Sequence, residues 1–174
     1  MSILPRSLLH LSLHQCRSIS DESLKNMPPL IQYLDLSNSV LLGDEGLSHL
    51  PQCLEVLHIS NCVKVTDNGL RHLPSTLRVL NVSNCHQIKE LNYLPKYLTD
   101  IDLSNCSHVK DEGAKRLPGT IERLSLRGTG VSDDGLQYIL KNMKNLEEIN
   151  LRFTKVSKKG VSEIPKSVVV LYVT

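Results

Sequence analysis

The chain predicts an α/β fold, a right-handed β-α solenoid with a parallel sheet on its concave face and short helices on its convex face. Three series in register predict it. The pattern LxxLxL begins at Leu8, Ile31, Leu54, Leu77, Leu98, Ile121, Leu146 and Val168, at spacings of 23, 23, 23, 21, 23, 25 and 22. Proline stands three residues before a start at Pro5, Pro28, Pro51, Pro74, Pro95, Pro118 and Pro165, and only Met143 breaks that series. A third series, Asp-x-Gly-Leu or close to it, begins at Asp44, Asp67, Asp111 and Asp133. Self-similarity at this period marks stacked units, none of which can bury its apolar side alone.

Each unit predicts a strand, then one or two helical turns, then a turn. Pairs such as Leu34-x-Leu36, Leu57-x-Ile59, Ile101-x-Leu103 and Leu124-x-Leu126 alternate with polar residues, the two-residue period of a half-buried strand. Ser20, Thr66, Ser132 and Ser157 stand where a helix N-cap is wanted, mostly followed by acidic residues suited to the positive helix end. The leucine three after each acidic residue, then Leu50, Leu73, Leu94 and Leu117, supplies the inward helical face. The next proline cannot continue the helix and sends the chain toward the following strand. With five Tyr, one Phe and no Trp, the core must be built from Leu, Ile and Val.

The units Leu54 to Leu73 (LEVLHISNCVKVTDNGLRHL) and Leu98 to Leu117 (LTDIDLSNCSHVKDEGAKRL) resemble leucine-rich repeats of the cysteine-containing subtype, familiar from F-box substrate receptors of ubiquitin ligases. The phrase LPSTLRVLNVSN, Leu73 to Asn84, is similar to the LPxxLxxLxV repeats of bacterial effectors injected into host cells. The resemblance covers the whole chain and implies a horseshoe, residues 1–174 forming a single domain of about seven and a half repeats. It implies a non-catalytic scaffold that recognises a partner protein, or the substrate-recognition region of a ubiquitin ligase. Neither an F-box nor an effector ligase domain stands in the sequence, so neither activity comes with the likeness.

Cys16, Cys62, Cys85 and Cys106 all occupy the ninth position of their units, where Ser39, Thr129 and Thr154 stand in others. Interchange of Cys with Ser and Thr fits a small inward donor to the backbone of the neighbouring turn. A column with one cysteine per strand, roughly 5 Å apart, cannot close a tetrahedron about one zinc. Neither a metal nor any other cofactor is expected. Unpaired thiols in odd number point to a reducing compartment, hence the cytoplasm, or host cytoplasm for an injected effector. Cys53, outside the column, is the candidate reactive thiol. The seven histidines form no motif, Cys85 and His86 should point apart, and no G-x-S-x-G, H-E-x-x-H or P-loop signature occurs. Asp35 beside His58 is the one pair an enzyme could use, and catalysis is not expected.

Positions three, five and seven of each unit should face outward on the concave sheet. Asp100, Arg123 and Glu148 alternate in sign on neighbouring strands, a ladder that serves the fold. Arg127 and Arg152 instead place like charges side by side, which folding does not explain. Phe153 follows where earlier units have Asn38, Asn61, Asn84 and Asn105. With Asn150 and Tyr172, expected at position five, they form an Arg and aromatic cluster of the kind that dominates binding energy. The alternative for Phe153 is a plug in the last turn. Tyr33, with Val56 and Val79 beside it and Asp35 and His58 nearby, is a second, apolar candidate. The candidate protein-binding residues are therefore Tyr33, Asp35, His58, Arg127, Asn150, Arg152, Phe153 and Tyr172.

A net charge of +2 calls for neither nucleic acid nor an acidic membrane. The lysines of the convex side (Lys25, Lys115, Lys141, Lys144, Lys158, Lys159) are dispersed, not a basic stripe with stacking aromatics. The longest apolar run, Val168 to Val173, is too short to span a bilayer. It reads as an exposed edge strand. Either the chain is a piece of a longer array or protein, the expected case, or a partner or second copy covers that edge.

Overall fold

The computed structural model describes residues 4–171. Eight strands, β1 (His10–Ser12), β2 (Tyr33–Asp35), β3 (Val56–His58), β4 (Val79–Asn81), β5 (Asp100–Asp102), β6 (Arg123–Ser125), β7 (Glu148–Asn150) and β8 (Val169–Leu171), form one parallel sheet in chain order. The connecting helices are α1 (Asp21–Leu24), α2 (Asp44–Leu47), α3 (Asp67–Leu70), α4 (Asp111–Ala114), α5 (Asp133–Asn142) and α6 (Lys158–Ser162). Between sheet and helices runs one continuous apolar layer that includes Leu34, Leu57, Leu80, Ile101, Leu124 and Ile149 from the strand centres. Each such side chain is worth about 1.5–3 kcal/mol on burial, and none is large enough to disturb the repeat.

Helix starts at Ser20, Thr66, Ser132 and Ser157 fall where the sequence places them. Their chemistry is partly different. Thr66 and Ser157 accept backbone N–H groups of their own helices, from Asn68 and Gly160. The more regular device crosses between repeats. The carboxylate of Asp44 accepts the Thr66 N–H at 2.7 Å and the Thr66 hydroxyl at 2.7 Å. Asp111 does the same for Ser132, and Asp133 for Ser157. Asp21 accepts the Gly43 N–H. The aspartate that opens each of α1 to α5 therefore staples the next repeat. This also accounts for the glycine two residues later: a Cβ on Gly69 would stand 2.5 Å from Asp44 Oδ1, and one on Gly135 2.5 Å from Asp111 Oδ1.

The cysteine column turns inward as expected. Cys62 donates to the Leu36 carbonyl at 3.5 Å, Cys85 to Ile59 at 3.2 Å and Cys106 to Val82 at 3.2 Å. Burial pushes the Cys62 and Cys106 thiols up to about 12, and raises Cys85 as well. Thr129 and Thr154 bond carbonyls of their own units. Ser39 in the same slot is buried with its hydroxyl unpartnered.

Two expectations need correction. The fourth unit, two residues shorter, has no helix. Asp67 there accepts three consecutive backbone N–H groups, from Lys89, Glu90 and Leu91, and Leu91 adopts a left-handed conformation (φ 56°). Leu94 still packs against the core from a non-helical turn. The last strand is also one residue out of register with the motif. Glu148 pairs with Val169, Ile149 with Val170 and Asn150 with Leu171, so position three is Val169 and not Val170, and position five is Leu171. The paired residues Glu148 and Val169 lie 21 positions apart, so the shift shortens this unit further below the common period of 23. Val169 is exposed, and among the described residues β8 has one strand neighbour, β7. Tyr172 and Val173 lie outside the described residues.

Candidate functional site

The outward columns of the sheet are divided by charge. In the middle, Arg123 is ion-paired with Asp100 and lies 3.4 Å from Glu147 and 3.9 Å from Glu122. Its hydrogen bond to Asp100, and then the Asp100 charge, raise its pKa further. The alternating ladder is thus real between Asp100 and Arg123. Its third member is Glu147, with Glu122 at longer range, and not Glu148. Asp100 and Arg123 line a shallow trough together with Asp102, Glu148 and Asn150.

The C-terminal end of the face is built differently. Backbone bonds put Arg127 and Arg152 on neighbouring strand ends, since the Gly128 N–H donates to the Arg152 carbonyl at 2.8 Å. The Arg127 guanidinium lies over the Phe153 ring, 5.1 Å from its centroid, and Nη1 donates to Asn105 Oδ1 at 3.2 Å. Asn105 in turn donates to Asn84 Oδ1 at 2.9 Å. Gly128 makes room for this, because a Cβ there would meet Asn105 Oδ1 at 2.5 Å. Arg127 is thereby held by a ring on one side and an amide at one edge. Neither Arg127 nor Arg152 has a carboxylate within ion-pair distance among the described residues.

Phe153 is not a plug. It is 69% exposed, and its backbone is left-handed (φ 59°). The same position holds Gln15, Asn38, Asn61, Asn84, Asn105 and Gly128 in other units, all at positive φ. Asn and Gly tolerate this region, whereas a bulky aromatic side chain is strained in it. A strained, exposed aromatic residue is an observed outlier from which a functional role can be argued.

The remaining candidates separate. Tyr33 forms an edge-to-face stack with His58 at 5.5 Å and another with His10 at 6.0 Å, so the N-terminal end of the face carries a His–Tyr–His stripe. Asp35 turns elsewhere: one oxygen accepts the Ser37 N–H at 2.9 Å and the other lies 3.8 Å from His14 Nδ1. Asp35 and His58 are register partners on β2 and β3, but among the described residues no hydrogen bond or ion pair joins their side chains. Asn150 likewise accepts the Arg152 N–H at 3.1 Å, as Asn81 and Asp102 do for Ser83 and Ser104. This Asx turn shapes the strand end, and the repeated Asx-x-Ser spacing could have shown it. Cys85 and His86 do point apart, His86 bonding the Asn105 carbonyl. The tyrosines stacked under Arg71 and Arg78, Tyr93 and Tyr97, are exposed side chains that the repeat pattern gave no reason to single out. Among the described residues no group of three or more His, Cys, Asp or Glu is placed to hold a metal, and no helix is long and apolar enough to cross a membrane.

The chain has relatives by fold. No curated protein matches it in sequence. Among solved structures, one chain of the yeast Rad7 and Elc1 complex superposes with a TM-score of 0.74 at 16% identity, over 88% of this chain and 44% of that one. The chain thus spans less than half the length of that relative, and the likeness is one of fold. A family profile described as Leucine Rich repeat matches residues 29–50, 51–73, 95–117 and 120–140, together just over half of the sequence. The chain belongs to the leucine-rich repeat family, whose repeats serve as protein-interaction scaffolds.

Proposed function

We propose that the chain binds a partner protein through its concave sheet, without catalysis of its own, and that Arg127, Arg152 and Phe153 make the principal contact. The observation that carries this is Phe153, which keeps an aromatic side chain in solvent at a backbone position suited to Asn or Gly. Tyr33 with His58 is the secondary contact at the other end of the face, where two stacked ring pairs offer a rigid apolar surface. Asp35 and Asn150 support the face by holding strand ends. The buried, unpaired thiols support a reducing compartment, the cytoplasm. The share of the Rad7–Elc1 chain that is matched supports residence in a longer protein.

The test is affinity capture from a cytosolic extract, with the wild type beside an Arg127→Glu/Arg152→Glu/Phe153→Ala variant and a Tyr33→Ala variant, read by mass spectrometry. A protein retained by the wild type and lost by the triple variant supports the reading. Identical captures from all three would sink it. A second reading, the substrate-recognition region of a ubiquitin ligase, is supported by the cysteine-containing repeats and by a shared fold with a chain that is itself found in a complex. It expects ligase subunits in the capture that survive the concave substitutions, because substrate and ligase use separate surfaces.

A further inference from the structure

We infer that the partner presents a carboxylate-bearing, acidic segment with an apolar neighbour to the C-terminal end of the concave face, the carboxylate seating on Arg127 and Arg152 and the apolar group on Phe153. This rests on the binding reading above and specifies its chemistry. The contrast between arginines four residues apart carries it. Arg123 is surrounded by Asp100, Glu147 and Glu122, whereas Arg127 and Arg152 stand on adjacent strand ends with no carboxylate in reach among the described residues. Like charges on neighbouring strand ends are unfavourable, and an anion between them removes that cost. Arg127 is also pre-oriented: Phe153 beneath and Asn105 at Nη1 leave the rest of its planar fork open, the geometry that suits a carboxylate. The ring of Phe153 remains largely in solvent despite Arg127. The acidic centre of the sheet, Asp100, Asp102 and Glu148, would repel an acidic segment laid along the whole trough, so the contact is confined to this end.

The experiment is fluorescence anisotropy with a fluorescein-labelled Gly-Leu-Glu-Glu-Leu-Gly peptide, its Gln-for-Glu counterpart, and a version with phosphoserine for both Glu. The Glu peptide should bind the wild type at least about tenfold more tightly than the Gln peptide, and binding should weaken with salt. Arg127→Gln/Arg152→Gln should lose that preference, Arg127→Lys should lose part of it despite keeping the charge, and the convex Lys158→Gln/Lys159→Gln variant should keep it. Equal binding of Glu and Gln peptides, equal loss in the convex variant, or no binding at about 1 mM peptide overturns the proposal. Tighter binding of the phosphoserine peptide by tenfold or more replaces carboxylate by phosphate and overturns it too. Loss of partner capture in Phe153→Ala, with no charge preference among the peptides, would sink the acidic assignment alone and leave the concave reading standing.

Discussion

Replacing Phe153 by Asn separates stability from binding in one substitution. The backbone at 153 has φ 59°, and five other units carry Asn or Gly there at φ from 59° to 68°. A left-handed conformation costs an ordinary L-residue about 1–2 kcal/mol, much of which Asn recovers through its short polar side chain. Against this stands the stack with Arg127, 5.1 Å from centroid to guanidinium, worth about 0.5–1 kcal/mol at an exposed site. The ring buries little else, being 69% exposed. The balance favours Phe153→Asn by roughly 0.5 kcal/mol, a rise in melting temperature of about 1–2 °C for a domain of this size. Urea denaturation followed by circular dichroism measures it, with Phe153→Ala as reference, since Ala loses the stack and keeps the strain. Phe153→Asn should be at least as stable as the wild type and fail to capture the partner. A loss of more than about 1 kcal/mol would mean that the ring packs in the turn after all, and the inference from strain to function would fall with it.

The same reasoning extends to the frame. Leu57→Ala removes a fully buried strand residue and should cost about 2–5 kcal/mol in urea denaturation; a loss below about 1 kcal/mol counts against the register. Gly69→Ala puts a Cβ 2.5 Å from Asp44 Oδ1, which is held by Thr66, so despite the better helix propensity of Ala it should destabilise by about 1–3 kcal/mol, and Asp44→Ala in the same chain should remove most of that penalty. Ser39→Cys should stabilise by about 1 kcal/mol, because the longer C–S bond reaches toward a neighbouring carbonyl as in Cys62 whereas the serine hydroxyl is unpartnered; a destabilised variant would show that the slot cannot admit sulfur. Asp133 has its pKa lowered in the folded chain by the Ser157 hydroxyl and then its N–H. Its contribution is therefore present above the unfolded carboxylate range, near pH 4, and lost as pH falls through the lower folded value. Asp133→Asn should flatten that acid limb of the pH–stability profile, and an unchanged limb would show that the staple carries no linked proton.

How much of this was legible in the sequence depends on whether a feature repeats. Strand positions, cysteine orientation and helix starts recur at one period, and each recurrence checks the others. The inter-repeat role of Asp44 recurs as well, yet its partner Thr66 stands 22 residues away, so local reading assigned the carboxylate to its own helix end. The fourth unit and the last strand were misread for the opposite reason. Each involves a unit of unusual length, which can replace the helix by a turn, as at Lys89 to Leu91, or shift the next strand against its motif, as at Val169. Motif spacing does not say which. Asp35 and Asn150 were legible as outward residues, but not as acceptors of the N–H two residues on, because a polar residue on a strand face looks the same whether its oxygen turns toward solvent or toward the chain.

Departures from the repeat mark the proposed site because conformity is so cheap in this architecture. Stacked units are stabilised mainly by their neighbours, so a position that breaks its column weakens two interfaces at once. Gly128, Arg127, Arg152 and Phe153 break two columns within two adjacent units, and the breaks are coupled. Gly128 admits the Asn105 amide, the amide fixes Arg127, and Arg127 lies on the ring of Phe153. Folding asks for none of these, since Asn and Ser fill the same positions in earlier repeats with fewer demands. The middle of the face answers its own arginine with Asp100 and Glu147, which shows that this sheet can neutralise a guanidinium where folding requires it. Among the described residues it leaves Arg127 and Arg152 without a carboxylate, and the acidic partner segment proposed above would supply one.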